Sequence, residues 1–193
     1  MKVKKTLAAG ICLLAFAGIA NAGNGLDPSR LPQCQTSAAA QTCRLPLQGG
    51  QFDSLDGWNR QGLPTIGKDE TGNNYTALYV GAGVSQPVFA HFGPSPQDLG
   101  YALRFRVRAD RNVSAIRATL AMSDSSGSRT IPLGETTTMA QAGEWNIVEL
   151  VVNGTAFAAP AHVLVSITSE GGDIAQVDDV TLVQTEGAGP LRR

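Results

Sequence analysis

Beyond its fifth residue the chain carries a single lysine, Lys68, and it has only two histidines, His91 and His162. Arginine therefore supplies nearly all of its fixed positive charge. Neither histidine lies in a recognisable nucleophile or zinc context, and there is no G-x-S-x-G or H-E-x-x-H run, which argues against the best-marked hydrolase and metalloprotease classes. No C-x-x-C pair is present, so a dithiol redox site is not indicated. No window after residue 22 shows a helical apolar stripe, which speaks against helical bundles and βαβ folds.

What the first 22 residues do contain is an export signal. Lys2, Lys4 and Lys5 form a basic head, and Leu7 to Ala20 forms a small, apolar core. Ala20-Asn21-Ala22 then supplies a signal-peptidase pattern. The apolar run is shorter than the roughly 20 residues a membrane span needs. Ile11, not a small residue, precedes Cys12, which disfavours lipidation. The expected mature chain begins near Gly23 and is a bacterial periplasmic or secreted protein with no membrane span. Removal of the signal leaves 12 basic and 16 acidic residues, so the remainder is acidic overall and has no global attraction for nucleic acid. Asn-x-Ser/Thr sequons at Asn74, Asn112 and Asn153 are read as chance in a bacterial chain.

Two cysteines survive processing, Cys34 and Cys43. Their spacing in an oxidising compartment predicts one disulfide, contributing roughly 2.5–3 kcal/mol on the chain-entropy account. They sit in a Gly-, Pro-, Gln- and Ala-rich extension, residues 23–46, with a single helical turn expected over Ser37–Gln41. From residue 47 to 184 short alternating stretches predict strands: Tyr75–Val80, Val84–Phe92, Tyr101–Arg108, Val113–Met122, Trp145–Val152, His162–Ser169 and Ile174–Val183. Turn chemistry such as Gly-Asn-Asn and Glu-Gly-Gly-Asp separates them. The pattern predicts one all-β sandwich or jelly roll, followed by a short tail over 185–193.

Four segments then align in order. "GGQFDSLDGWNRQG" at 49–62 is similar to the opening of carbohydrate-binding modules of families four, nine and twenty-two. "GYALRFRVRAD" at 100–110 resembles their Gly-entered Tyr…Phe…Arg strand. "EWNIVELVVNG" at 144–154 resembles the Trp-containing strand that follows, and "AQVDDVTL" at 175–182 resembles the closing DDV strand. The resemblance implies a galactose-binding-like jelly roll in which Trp58 and Trp145 are mainly structural. It also implies a structural calcium ion held by Asp53 and Asp178, with Asp53 one methylene shorter than the commoner Glu. The alternative is that Asp53 caps a turn and Asp179 is a solvated strand residue. Asp178 and Asp179, adjacent on a strand, are expected on opposite faces and so not as an acid/base pair.

Candidate ligand rings outside those positions are Tyr75, Tyr79, His91 and Phe92, with Tyr75 best placed beside the Gly-Asn-Asn turn. The most distinctive feature is arginine. Arg104, Arg106 and Arg108 alternate with Leu103, Phe105 and Val107, and Arg111 and Arg117 follow closely. Arg104, Arg106 and Arg117 are expected on one exposed cationic face suited to an anionic partner. The competing expectation is a solvated face whose arginines pair with Glu149, Glu170 or Asp173. The functional expectation is an exported, non-catalytic binder of an acidic or neutral polysaccharide. Two alternatives stand beside it: an interaction subunit of a surface assembly, and a hydrolase with a hidden carboxylate pair.

Overall fold

A computed structural model describes residues 27–35, 42–90, 99–124, 126–154 and 161–186. The signal, the turn expected over 37–41, the rings of His91 and Phe92 and the tail after 186 lie outside the described residues. A 3-10 turn (Pro28–Arg30) precedes eleven strands: β1 (Cys43–Arg44), β2 (Asn59–Gln61), β3 (Thr65–Lys68), β4 (Asn74–Leu78), β5 (Gly83–Ala90), β6 (Leu99–Ala109), β7 (Val113–Asp124), β8 (Thr130–Gln141), β9 (Asn146–Asn153), β10 (Ala161–Gly172) and β11 (Ala175–Glu186). One sheet runs β3-β4-β11-β6-β9, with β1 also on β11; the other runs β2-β5-β10-β7-β8. Every pairing between named strands is antiparallel.

Period-two alternation explains the core. Leu103, Phe105 and Val107 of β6 face Ile116, Ala118, Leu120 and Met122 of β7 and Val163, Val165 and Ile167 of β10 across the sandwich, all 0–1% exposed. Full burial of each larger side chain is worth about 1.5–3 kcal/mol. Trp58 is buried too, stacked near Phe52 and donating its indole N–H to the Gly49 carbonyl at 3.1 Å. Cys34 and Cys43 are disulfide-bonded, with Cα atoms 5.0 Å apart.

β8 has no counterpart among the expected strands. It is an edge strand with a mostly exposed pattern, and Pro132 and Gly134 interrupt its alternation. Its ladder to β7 slips between Leu120 and Ala121, beside Pro132, which an edge position tolerates.

The expectation that Arg117 shares a face with Arg104 and Arg106 is corrected here. β6 and β7 are consecutive but belong to different sheets. The turn between them is not a hairpin: the Asp173 carboxylate accepts from the backbone N–H of Arg111 and Asn112 and carries the chain across the sandwich. Arg117 therefore points from the opposite outer surface.

Candidate functional site

The outer face of the β11/β6/β9 sheet concentrates the unusual chemistry. β11 contains a bulge: its register to β6 passes from Asp178↔Arg106 to Thr181↔Arg104, one residue longer than its partner. Asp179 takes the left-handed conformation, φ 51°, which aspartate tolerates better than most residues. The bulge turns Val180 into the core, where its N–H donates to the Gly50 carbonyl at 2.8 Å. Gly50 has no room for a side chain, since a Cβ would lie 2.1 Å from the Val180 carbonyl oxygen.

A second correction follows from the bulge. Asp178 and Asp179 do not point to opposite faces; both reach Arg106. Its Nη2 lies 2.7 Å from Asp178 Oδ2 and its Nε 2.7 Å from Asp179 Oδ2. Asp178 is fully buried, whereas Asp179 is half-buried. Burial pushes the Asp179 carboxyl up, the Asp178 charge adds to this, and Arg106 opposes it. Two carboxylates thus share one guanidinium.

Arg108 donates to Gln176, and its guanidinium lies 4.6 Å from the Trp145 ring centroid; Arg106 is 5.2 Å from the same centroid. Tyr75 completes the cluster. Its ring packs edge-on to Trp145 at 6.3 Å and lies 5.8 Å from the Arg108 guanidinium. Gly67, paired with Tyr75 across β3 and β4, leaves space for that ring, because a Cβ there would sit 2.5 Å from it. Trp145 is accordingly half-exposed on the outer face and not a core residue, unlike Trp58. Each cation–ring contact is worth about 0.5–1 kcal/mol at such a surface.

Arg104 differs from its neighbours. Its guanidinium makes no hydrogen bond and no ion pair among the described residues, although it is half-buried. It lines a cleft of ≈310 Å³ with Asp27, Pro28, Arg44, Arg106, Ile147 and Asp179. Asp27 is engaged by the N–H and hydroxyl of Ser29 and by Arg30, and these contacts, with a contribution from Arg104, hold its carboxyl below the usual range. Arg44 donates to the Leu31 carbonyl at 3.1 Å. Arg106 and Asp179 form an ion pair, and Asp179 also accepts from the Gln51 amide at 3.1 Å. Arg44 and Arg104 thus stand in the cleft without an ion pair among the described residues, and Arg104 alone of the two makes no side-chain hydrogen bond.

The two residues of the implied calcium site each accept from one of two consecutive asparagines. Asn74 Nδ2 donates to Asp53 Oδ1 at 2.6 Å, and Asn73 Nδ2 donates to Asp178 Oδ2 at 2.8 Å. With its nitrogen on the Asp53 carboxylate, the Asn74 amide turns its oxygen away. Asn74 Oδ1 and Asp178 Oδ1 are both buried acceptors that no donor reaches. An orphaned amide oxygen and the orphaned second oxygen of the Asp178 carboxylate, with Asp53 on the same asparagine, fit a calcium-like cation. Among the described residues no three histidine, cysteine, aspartate or glutamate side chains gather as a metal-ligand set, so amide and carbonyl oxygens would have to complete the coordination.

The other sheet presents a different surface. Arg117 is held by Glu135 and by Glu170 at 3.2 Å, and these contacts, Glu135 foremost, raise its pKa. At the far end Phe89 packs edge-on to His162 at 5.8 Å, above a cavity of ≈380 Å³ that also includes Asn59 and Pro87. Phe89 was legible as an aromatic on the polar parity of its strand, opposite His162, but was not singled out. Tyr79 is exposed in the turn after β4.

No family model matches the chain, and no curated protein matches it. Solved structures share its fold. The CBM22-1 xylan-binding domain of Paenibacillus barcinonensis Xyn10C superposes with a TM-score of 0.54 at 11% identity, over 78% of this chain and 100% of that one. A CBM4 structure matches with a TM-score of 0.51 at 13% identity, over 72% and 99%. TmCBM61, solved in complex with β-1,4-galactotriose, matches with a TM-score of 0.50 at 19% identity, over 72% and 97%. The described chain is thus an all-β sandwich of the jelly-roll type found in carbohydrate-binding modules. No helix among the described residues is long and apolar enough to cross a membrane.

Proposed function

We propose that this is an exported, non-catalytic glycan-binding protein that holds an acidic polysaccharide at the Arg104 cleft. The observation that carries the reading is Arg104 itself: a half-buried guanidinium with no hydrogen bond or ion pair among the described residues, next to Arg106, whose charge Asp178 and Asp179 take up. Arginine's planar fork suits the two oxygens of a uronate carboxylate. Ile147, 58% exposed beside it, offers an apolar wall to a pyranose ring, and Tyr75 and Trp145 extend the aromatic surface beyond Arg106. The fold shared with sugar-binding modules supports glycan binding as the class of function. Fold alone does not choose the ligand, so the site must.

A calcium ion at Asp53, Asn74 and Asp178 would be structural in this reading, fixing the turn that supports Tyr75. Calcium binding to the folded state alone raises the melting temperature by linkage. The expected result is a calcium-dependent rise in wild type that disappears in Asn74→Ala and Asp178→Asn; no rise at millimolar calcium removes the ion from the account.

A second reading is favoured by β9. This edge strand exposes Ile147 and Val151 at 58% and 48%, a surface that also suits a protein partner. The test separates the two. The chain from Gly23 onward is applied to immobilised polygalacturonate, alginate, xylan and mixed-linkage glucan at low and high salt. Retention on the polyuronates, weakened by salt, is expected. Equal retention on the neutral glycans would shift the site to Phe89 and His162, and retention on none would leave the interaction reading.

A further inference from the structure

The Arg104 cleft does not end at Thr181. A second cleft of ≈330 Å³ adjoins the first of ≈310 Å³, and the two share Arg44, Gln51, Asp179 and Thr181 as common walls. Past those residues the second cleft reaches Gln33, Pro46 and Leu47. In the other direction the first reaches Ile147 on β9, an exposed sheet edge. Each volume alone is at the lower end of the roughly 300–1,000 Å³ usual for ligand pockets, so the joined pair is a trench with room for more than one sugar ring.

A strap forms one bank of it. Residues 27–35 lie beside Ala102 and Val183, with Asp27, Pro28 and Ser29 against the first cleft and Gln33 against the second. Cys34 N–H donates to the Arg44 carbonyl and Arg44 N–H to the Pro32 carbonyl, each at 2.8 Å, and the disulfide closes the loop. The gap beneath the strap, ≈20 Å³, admits a water and no sugar ring, since one water needs about 10–15 Å³ on this measure. A ligand therefore runs along the strap and not under it.

Two cations stand in the trench. Val183 of β11 pairs with Arg44 on one side and with Ala102 on the other, and Thr181 pairs with Arg104. Opposed residues, and residues two apart along a strand, project from one face, so both arginines belong to the outer face. Two strand spacings and two residues of rise put their Cα atoms about 12 Å apart. Neither makes an ion pair among the described residues, and Arg44 commits only its Nε, to the Leu31 carbonyl. The carboxylates of the trench are engaged elsewhere: Asp27 by Ser29 and Arg30, Asp179 by Arg106 and Gln51. Glu149, cross-strand from Arg104, lines the gap beneath the strap and neither cleft. Arg44 alone of the two arginines lines the second cleft.

Resting on the acidic-glycan reading above, we infer that the trench recognises at least two uronates of one chain, Arg104 taking one carboxylate and Arg44 another. Guanidinium groups spaced along a trench, each without an ion pair, match a ligand whose negative charge repeats along its length. A homopolyuronate has that property, whereas a glycan with isolated uronates fills one arginine and leaves the other.

The experiment is calorimetric titration of the chain from Gly23 onward with galacturonate and its oligomers from dimer to hexamer. Affinity should rise roughly 10- to 150-fold at the length whose second carboxylate reaches Arg44, and then level off. Arg44→Gln should bind the monomer as wild type does and lose that rise. Because Arg44 also holds the Leu31 carbonyl, a second arm leaves the protein unaltered: a trimer methyl-esterified at all but one carboxylate should bind like the monomer. Monomer affinity equal to that of the hexamer, or an esterified trimer as tight as the free one, overturns two-point recognition and leaves acidic-glycan binding intact. Absence of heat with every oligomer overturns the acidic-glycan reading itself, and this inference with it.

Discussion

Arg104→Gln separates binding from stability. The substitution keeps most of the aliphatic stem and a neutral donor, and it removes the charge and the fork. Arg104 makes no side-chain hydrogen bond or ion pair among the described residues, so the folded state loses little: within about 0.5 kcal/mol, the scale of a surface change away from special features. Binding should suffer. A charge-assisted hydrogen bond is worth about 1.5–3 kcal/mol, so affinity for oligogalacturonate is expected to fall roughly 10- to 150-fold. Arg106→Gln should behave in the opposite sense. It strips the cation from Asp178, which is 1% exposed, and from Asp179. Breaking a buried pair costs about 3–5 kcal/mol, and since the Arg106 side chain is 33% exposed, about 2–4 kcal/mol is the fairer figure. At roughly 2–4 °C per kcal/mol for a domain of this size, the melting temperature should drop by about 5–15 °C. Calorimetric titration gives the first quantity and thermal melting the second. Wild-type affinity in Arg104→Gln, or a melting loss as large as that of Arg106→Gln, would refute the assignment of Arg104 as an uncommitted cation.

Three further outcomes follow from the geometry. Gly50→Ala places a methyl 2.1 Å from a backbone oxygen of the Asp179–Val180 bulge and should cost about 3 kcal/mol or more, read as a fall in denaturant midpoint; near-neutrality would mean that the bulge is not locked by this turn. Opening the disulfide in Cys34→Ser/Cys43→Ser should cost about 2–3 kcal/mol while the sandwich still melts cooperatively, because Leu103, Phe105, Ile116 and their neighbours do not depend on it. Asp173 is held below its usual 3.8 by the N–H of Ile174, then by those of Asn112 and Arg111, so it stabilises the fold above about pH 4 and that contribution is lost as pH falls through its lowered value. The melting difference between wild type and Asp173→Asn should therefore be full at neutral pH and shrink on acidification below 4; a difference independent of pH would contradict this.

Much of the molecule was legible locally. Alternation of Leu103, Phe105 and Val107 with three arginines assigned the inward and outward sides of β6 correctly, because strand parity depends only on the two-residue pleat. The same holds for Ile116 to Met122 on β7. The disulfide followed from compartment and spacing. β8 escaped because an edge strand needs little apolar character, and TIPLGETTTMAQ buries little beyond Ala140.

Other properties lay beyond any local pattern. Whether Arg117 joins Arg104 depends on which sheet β7 enters, and β7 pairs with β8 and with the distant β10 of the opposite sheet. One inserted residue in β11 put Asp178 and Asp179 on the same guanidinium, against the expectation of opposite faces. Composition marked residues 23–46 as an extension; only packing made 27–35 of it a strap beside Ala102 and Val183 and left Arg104 without an ion pair among the described residues. Residue type and period therefore determined the sandwich and its core. Pairing between distant strands determined the site, because a charge is committed or free only according to what tertiary contacts bring beside it.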